Sequence, residues 1–108
     1  MTLSMRWRDT PDRSVVLALR GEVDYASAPD LRAVISAAAV REPRSARIVL
    51  DLSGVTFIDR VGVGTLVVGS RICAQLGVDL AVSNPSPLIR GLLGLPEDRP
   101  KGSPRPER

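Results

Sequence analysis

The sequence contains no histidine, one cysteine (Cys73), one lysine (Lys101) and only three aromatic residues, Trp7, Tyr25 and Phe57. Without an imidazole there is no Ser-His-Asp or Cys-His catalytic arrangement, and a lone thiol cannot close a zinc site. Conventional hydrolase and metalloenzyme chemistry is therefore not expected, and neither is a metal or other cofactor. Cys73 has no partner within the chain, which excludes a disulfide-stapled secreted scaffold. The longest uncharged apolar stretch, Val61 to Gly69, is far short of the ~20 residues that span a bilayer. No secretory signal pattern opens the chain, so a cytoplasmic location without membrane insertion is expected. The aromatics lie far apart in sequence, the net charge is only +3, and basic and acidic residues interleave. A nucleic-acid partner is not expected.

What remains is a chain of 108 residues with 44% apolar content, enough for one small domain with its own core. Leu3, Met5 and Trp7 alternate with Ser4, Arg6 and Arg8, the period of a half-buried strand. Residues 9 to 13, with Pro11, read as a turn into a second strand, Ser14 to Arg20, which Gly21 is expected to end as one arm of an antiparallel hairpin. Ser27, followed by Pro29 and Asp30, has the pattern of a helix N-cap with an acid near the positive end of the dipole. Leu31, Val34, Ile35, Ala38 and Ala39 then form one apolar stripe, which Pro43 stops.

Arg47 to Leu52 reads as a central strand covered on both faces, parallel to its neighbour. Ser53 and Gly54 suit a turn before a short segment ending Phe57-Ile58-Asp59. A second helix is expected from about Val61 to Leu76, stopped by Gly77. Its glycines Gly62, Gly64 and Gly69 each cost up to ~1 kcal/mol relative to Ala and call for close backbone approach. Val78 to Val82 alternates as a further strand, and Asn84-Pro85-Ser86-Pro87 leads into a short helix, Leu88 to Leu93, ended by Gly94. The order β-β-α-β-α-β-α defines a small α/β layer structure with a mixed sheet and helices packed against it. Residues 96–108, PEDRPKGSPRPER, contain no large apolar side chain and read as a disordered tail after a domain spanning 1–95.

Several ordered motifs carry a resemblance: Gly21-Glu22-Val23-Asp24, Ser27-Ala28-Pro29-Asp30-Leu31, Val49-Leu50-Asp51-Leu52-Ser53-Gly54-Val55-Thr56-Phe57-Ile58-Asp59, then Gly62, Gly64 and Leu66, and finally Asn84-Pro85-Ser86-Pro87. Over roughly residues 5 to 95 the chain resembles the STAS domain of bacterial anti-sigma factor antagonists. The resemblance implies a binding module rather than an enzyme. Its partner would be an anti-sigma factor of serine-kinase fold, whose capture frees a sigma factor for transcription. In that family the kinase switches the antagonist off by phosphorylating one Ser. The acceptor follows the Asp of the Phe-Ile-Asp segment, as Asp-Ser-Ser-Gly or Asp-Ser-Thr-Gly.

Here the matching run is Asp59-Arg60-Val61-Gly62, so both hydroxyls are absent and Arg60 stands at the acceptor position. A phosphate there would add about −2 charge at a helix N-terminus, where backbone N–H groups hold it. Arg60 instead sets a permanent positive charge at the positive end of the helix, at a cost of ~0.3–1 kcal/mol unless an acid compensates. The expected partner surface comprises Asp24, Asp59, Arg60, Val61 and Gly62, with Asp59 also a candidate N-cap. Ser53, Thr56, Thr65 and Ser70 are the remaining nearby hydroxyls, and Cys73 falls at core spacing on the second helix. The competing reading is a structural subunit, resembling STAS proteins that brace the ATPase of phospholipid-transport ABC complexes or build sensory assemblies. A nucleotide-binding protein is a poor fit, since no GxxxxGK[ST] loop is present.

Overall fold

A computed structural model describes residues 3–41 and 43–96 of the chain. The alternating runs at the start form the expected hairpin. Strand β1 (Ser4–Asp9) pairs antiparallel with β2 (Ser14–Val23), Met5 opposite Leu19 and Trp7 opposite Leu17. In the turn between them Arg13 has φ 66°, and its guanidinium donates to the carbonyl of Arg44 at 3.0 Å. Trp7 is 40% exposed, with the Arg41 guanidinium 5.2 Å from its ring centroid and ion-paired to Asp9.

Two glycines expected to end or break strands do neither. β2 continues past Gly21 to Val23, and β3 (Arg47–Ile58) runs unbroken through Ser53 and Gly54. Gly21 takes φ 112°, and the pairing of β2 with β3 shifts register between Ala18 and Arg20 and again between Gly21 and Glu22. The ladder therefore bends at bulges instead of stopping. Gly54 fits because a Cβ there would lie 2.8 Å from the Leu19 carbonyl oxygen and 2.7 Å from Arg20 Cγ.

Helix α1 (Ala28–Val40) buries Leu31, Ile35, Ala38 and Ala39, the expected stripe. Helix α2 (Arg60–Gln75) follows β3, and Gly77, at φ 75°, closes the turn beyond it. Strand β4 (Asp79–Ser83) precedes α3 (Pro87–Leu92), where the Ser86 hydroxyl accepts from the Ile89 N–H at 3.2 Å. The sheet order is β1-β2-β3-β4, with β2, β3 and β4 parallel. This is the expected mixed α/β architecture in the expected element order. The expected tail, 96–108, lies outside the described residues except for Pro96.

The central strand departs from expectation in one respect. Along β3 burial alternates: Ile48, Leu50 and Leu52 are fully buried, while Val49 and Asp51 are half-exposed and Ser53 is exposed. One face of the sheet, with Val15, Leu17 and Leu19 of β2, joins Leu31, Ile35, Leu66, Cys73 and Ile89 in a single hydrophobic cluster. No helix among the described residues covers the other face. The helices α1 and α2 thus press on one side only, which holds the N-terminus of α2 at the end of the sheet where β2 and β3 finish.

Candidate partner-docking site

Parallel β2 and β3 bring their C-terminal ends together, with Val23 opposite Ile58. The loop that leaves β2 and the helix that leaves β3 therefore start side by side. Asp59 joins them. Its Oδ1 accepts from the Gly62 N–H at 2.8 Å, capping α2, and its Oδ2 accepts from the Tyr25 N–H at 3.0 Å. The backbone N–H of Asp59 donates to the Val23 carbonyl at 3.1 Å. One carboxylate thus satisfies an orphan donor of the helix and pins the β2–α1 loop beside it.

Asp24 organises the same loop from within. Its Oδ1 accepts from the N–H groups of Ala26 and Ser27, both at 3.0 Å. Ser27 is the residue before α1 but makes no side-chain cap, a correction to the expected N-cap. Its hydroxyl turns back to donate to the Glu22 carbonyl at 2.9 Å and accept from the Asp24 N–H at 3.0 Å. Ser27 is buried under the loop, and a hydroxyl committed there has no reach to the first turn of α1.

Gly62 explains how closely α2 approaches. A Cβ at this position would stand 2.3 Å from the Val23 carbonyl oxygen and 2.9 Å from Ile58 Cγ1. Gly69 lies against Ile35 of α1, with 3.2 Å from an ideal Cβ to Cδ1, while Gly64 faces open space. Two of the three helix glycines therefore have the close contact that the sequence called for, and Gly64 does not.

Arg60, at the first position of α2, is exposed and makes no ion pair among the described residues. Asp59 does not neutralise it through a side-chain bond, because both carboxylate oxygens accept backbone N–H groups. The first turn of α2 holds no acid. Val61 beside it is half-exposed. Asp24, Asp59, Arg60 and Val61 are thus brought to one corner with Gly62 buried beneath them, where one guanidinium without an ion-pair partner among the described residues stands at a positive helix end beside two carboxylates that backbone N–H groups engage.

Several residues of this corner were not singled out from the sequence. Tyr25 is 73% exposed at the tip of the β2–α1 loop, and Phe57, Leu88 and Leu92 also stand exposed. Leu92 closes a groove of about 320 Å³ with Ile58, Asp59, Arg60 and Val63. The available signal was an aromatic within an otherwise polar loop, and a short helix with more apolar residues, Leu88, Ile89 and Leu92, than one buried stripe of its length needs. The other hydroxyls lie elsewhere. Thr65 is buried and donates to the Val61 carbonyl at 3.0 Å, and Thr56 donates to the Gly21 carbonyl at 3.3 Å. Ser53 sits within β3 rather than in a turn, and Ser70 is exposed on α2, nearly three turns beyond Arg60. Cys73 is fully buried, and desolvation raises its thiol pKa above the ordinary value. No group of three metal-ligating side chains, and no helix long and apolar enough to cross a membrane, occurs among the described residues.

A family model described as "Mlab, STAS domain" matches residues 8–95. The chain belongs to the STAS_2 family. Among solved structures, this STAS domain is similar to the anti-sigma factor antagonist SpoIIAA in its unphosphorylated form, at 25% identity over 84% of this chain and 82% of that one, with a TM-score of 0.66. It is also similar to the Bacillus cell fate determinant SpoIIAA in the phosphorylated form, at 26% identity over 84% of this chain and 86% of that one, with a TM-score of 0.63. A part of the murine Solute Carrier 26 family member A9 anion transporter shares the fold at 16% identity and a TM-score of 0.71, over 86% of this chain but 18% of the transporter. No curated protein matches the chain in sequence.

Proposed function

We propose that this STAS domain is an anti-sigma factor antagonist: a non-enzymatic binding module that captures an anti-sigma factor of serine-kinase fold and so releases a sigma factor for transcription. The observation that carries the reading is the Asp59 clamp, which ties the β2–α1 loop to the first turn of α2 through bonds of 3.0 and 2.8 Å. It presents Tyr25, Arg60 and Val61 as one rigid, partly apolar corner with Asp24 at its base. The similarity to SpoIIAA in both its unphosphorylated and phosphorylated forms supports the same reading. The chain departs from a phosphorylation switch at position 60, where a guanidinium replaces a hydroxyl, so docking is constitutive at this site. Asp24, Asp59, Arg60, Val61 and Gly62 are the proposed partner-binding residues, and the setting is the cytoplasm of a bacterium.

A second reading is favoured by the description of the matching family model, Mlab, together with the missing acceptor. A STAS subunit that braces the ATPase of a phospholipid-transport complex would have no need of the hydroxyl. Both readings are tested by presenting the purified chain, with ATP and Mg²⁺, to each kinase-fold anti-sigma factor and each transport ATPase encoded with it, recording complex formation and phosphate incorporation. Binding to an anti-sigma factor without phosphorylation, with phosphate uptake appearing in Arg60→Ser, is the expected result. Binding only to an ATPase would select the second reading, and phosphorylation of the unaltered chain would overturn the site assignment.

A further inference from the structure

The helices leave one whole face of the sheet bare, and its composition is unusual for a solvated face. The paired residues pointing away from the core form rows across the strands: Arg8, Val16, Val49 and Ala81 in one, and Arg6, Ala18, Asp51 and Ser83 in the next. Val16, Ala18, Val49 and Ala81 are half-exposed and stand outside the hydrophobic cluster. An antiparallel or mixed sheet that faces only water carries polar side chains on that side, whereas the centre of this floor, Val16, Ala18, Val49 and Ala81, is apolar and low, with Phe57 exposed further along β3. On the β1 side the floor dips into a groove of about 360 Å³ lined by Arg6, Trp7 and Arg8 over Val16 and Ala18.

Charge on this face leans cationic, most of all on the β1 side: Arg6, Arg8, Arg20 and Arg47 lie on it against Glu22, Asp51 and Asp79. Asp79 is taken up by Arg47 at 3.1 Å, and Asp51 accepts from the Ser53 N–H at 3.0 Å. Arg6 and Arg20 make no ion pair among the described residues. We propose that this face docks an acidic amphipathic helix of a partner protein, its apolar side on Val16, Ala18, Val49 and Ala81 and its carboxylates against Arg6 and Arg8. A floor of small side chains admits a helix at close range, and the arginines supply the register and the attraction. A second copy of the chain would bring the same cationic excess onto itself. A nucleic acid would find only isolated aromatics here, Trp7 beside the Arg41 guanidinium and Phe57 towards the far end of β3, and no continuous stacking surface. The surface is separate from the corner around Arg60 and does not rest on the function proposed above.

The test uses the ¹⁵N-labelled chain, its amide shifts followed during titration with two synthetic amphipathic helical peptides. The peptides share one Leu/Ala stripe and differ only in carrying Glu or Lys along its flanks. The Glu peptide is expected to shift amides of residues 6–8, 16–18, 49–51 and 81, with an affinity that falls as salt rises. Arg6→Glu combined with Arg8→Glu is expected to weaken it by roughly tenfold or more while leaving the thermal transition in place, since both side chains are exposed. If that pair of reversals impairs folding, Arg6→Gln with Arg8→Gln must still remove most of the salt sensitivity. Equal binding of the Lys peptide, or shifts confined to the start of α2, overturns the proposal. So do shifts that depend on chain concentration without peptide, which assign the face to a second copy. Binding to phosphatidylglycerol vesicles that the Glu peptide fails to displace would assign it to lipid.

Discussion

Replacing Gly62 by Ala should destabilise this domain, although Ala is the better helix former. The added Cβ would lie 2.3 Å from the Val23 carbonyl oxygen, where ordinary contact begins at 3.4 Å. The opposing atom is backbone of a central strand, so α2 must withdraw by roughly 1 Å in an interior with no slack. Withdrawal stretches the bond from the Asp59 N–H to the same carbonyl, 3.1 Å in the native chain, and loosens the cap that Asp59 provides to Gly62. Overpacking costs ~1–3 kcal/mol and cap loss ~1 kcal/mol, against a propensity gain below ~1 kcal/mol in the first turn. The net loss is ~1–3 kcal/mol, a fall in Tm of about 5–20 °C for a domain of this size. Gly64→Ala is the internal control, because nothing lies within 4 Å of its Cβ position, and it should raise stability by ~0.5–1 kcal/mol. Thermal and urea unfolding followed by circular dichroism measures both. If the two variants are equally stable, α2 does not approach the sheet as described and the reasoning fails.

The remaining predictions address the site and the core. Asp59→Ala removes the α2 cap and the tether to Tyr25, so it should cost ~1–2 kcal/mol in urea unfolding and speed amide exchange at Tyr25 and Gly62; Asp59→Asn, which keeps one acceptor oxygen, should fall between. Asp51 has its pKa lowered, chiefly by the Ser53 N–H and further by Asn84 and Arg8, against a smaller opposing effect of burial. A carboxyl depressed on folding contributes stability that is present above its unfolded pKa near 3.8 and lost as pH falls through the folded value. Acid unfolding below about pH 4 should therefore be less steep in Asp51→Asn, and an unchanged acid limb would contradict this. Cys73 should resist thiol reagents in the native chain and react at the rate of opening, because the thiol is both buried and raised in pKa; fast labelling would show that α2 opens locally.

Periodicity carried most of the fold. The alternating start, the Leu31-Ile35-Ala38-Ala39 stripe and the Gly77 stop are local patterns, and each was realised where it was read. The continuous strands were not legible at Gly21 and Gly54, because a glycine that ends a strand and one that permits a bulge look alike in one dimension. The difference lies in what stands opposite: the Leu19 carbonyl and Arg20 Cγ, within 2.8 Å of where a Cβ would be on Gly54, belong to another strand. Coverage of β3 on both faces was misread for a related reason. Val49 is apolar like Leu50, and only the one-sided placement of the helices leaves it half-exposed. The expected Ser27 cap failed because of the path of the loop, which puts the Ser27 hydroxyl against the Glu22 carbonyl while Asp24 accepts the N–H groups of Ala26 and Ser27.

The candidate site divides along the same line. Asp59 as the α2 cap is a local relation over three residues and was readable, whereas its second bond reaches Tyr25, 34 residues away, and exists only once β2 and β3 lie parallel. That second bond explains why Arg60 can occupy the acceptor position without disturbing the corner. The contacts that shape it run from carboxylates to backbone N–H groups, Asp59 to Gly62 and Tyr25 and Asp24 to Ala26 and Ser27, with the Ser27 hydroxyl and the Asp59 N–H bonded to backbone groups as well. None involves the side chain at position 60. The framework is therefore indifferent to that side chain, which is free to determine the charge offered to a partner: a hydroxyl leaves the helix end open to phosphate, and a guanidinium makes it permanently cationic. On this argument Arg60→Ser should alter partner affinity and phosphate uptake while leaving the unfolding curve within ~0.5 kcal/mol of the parent, the range of an ordinary surface substitution.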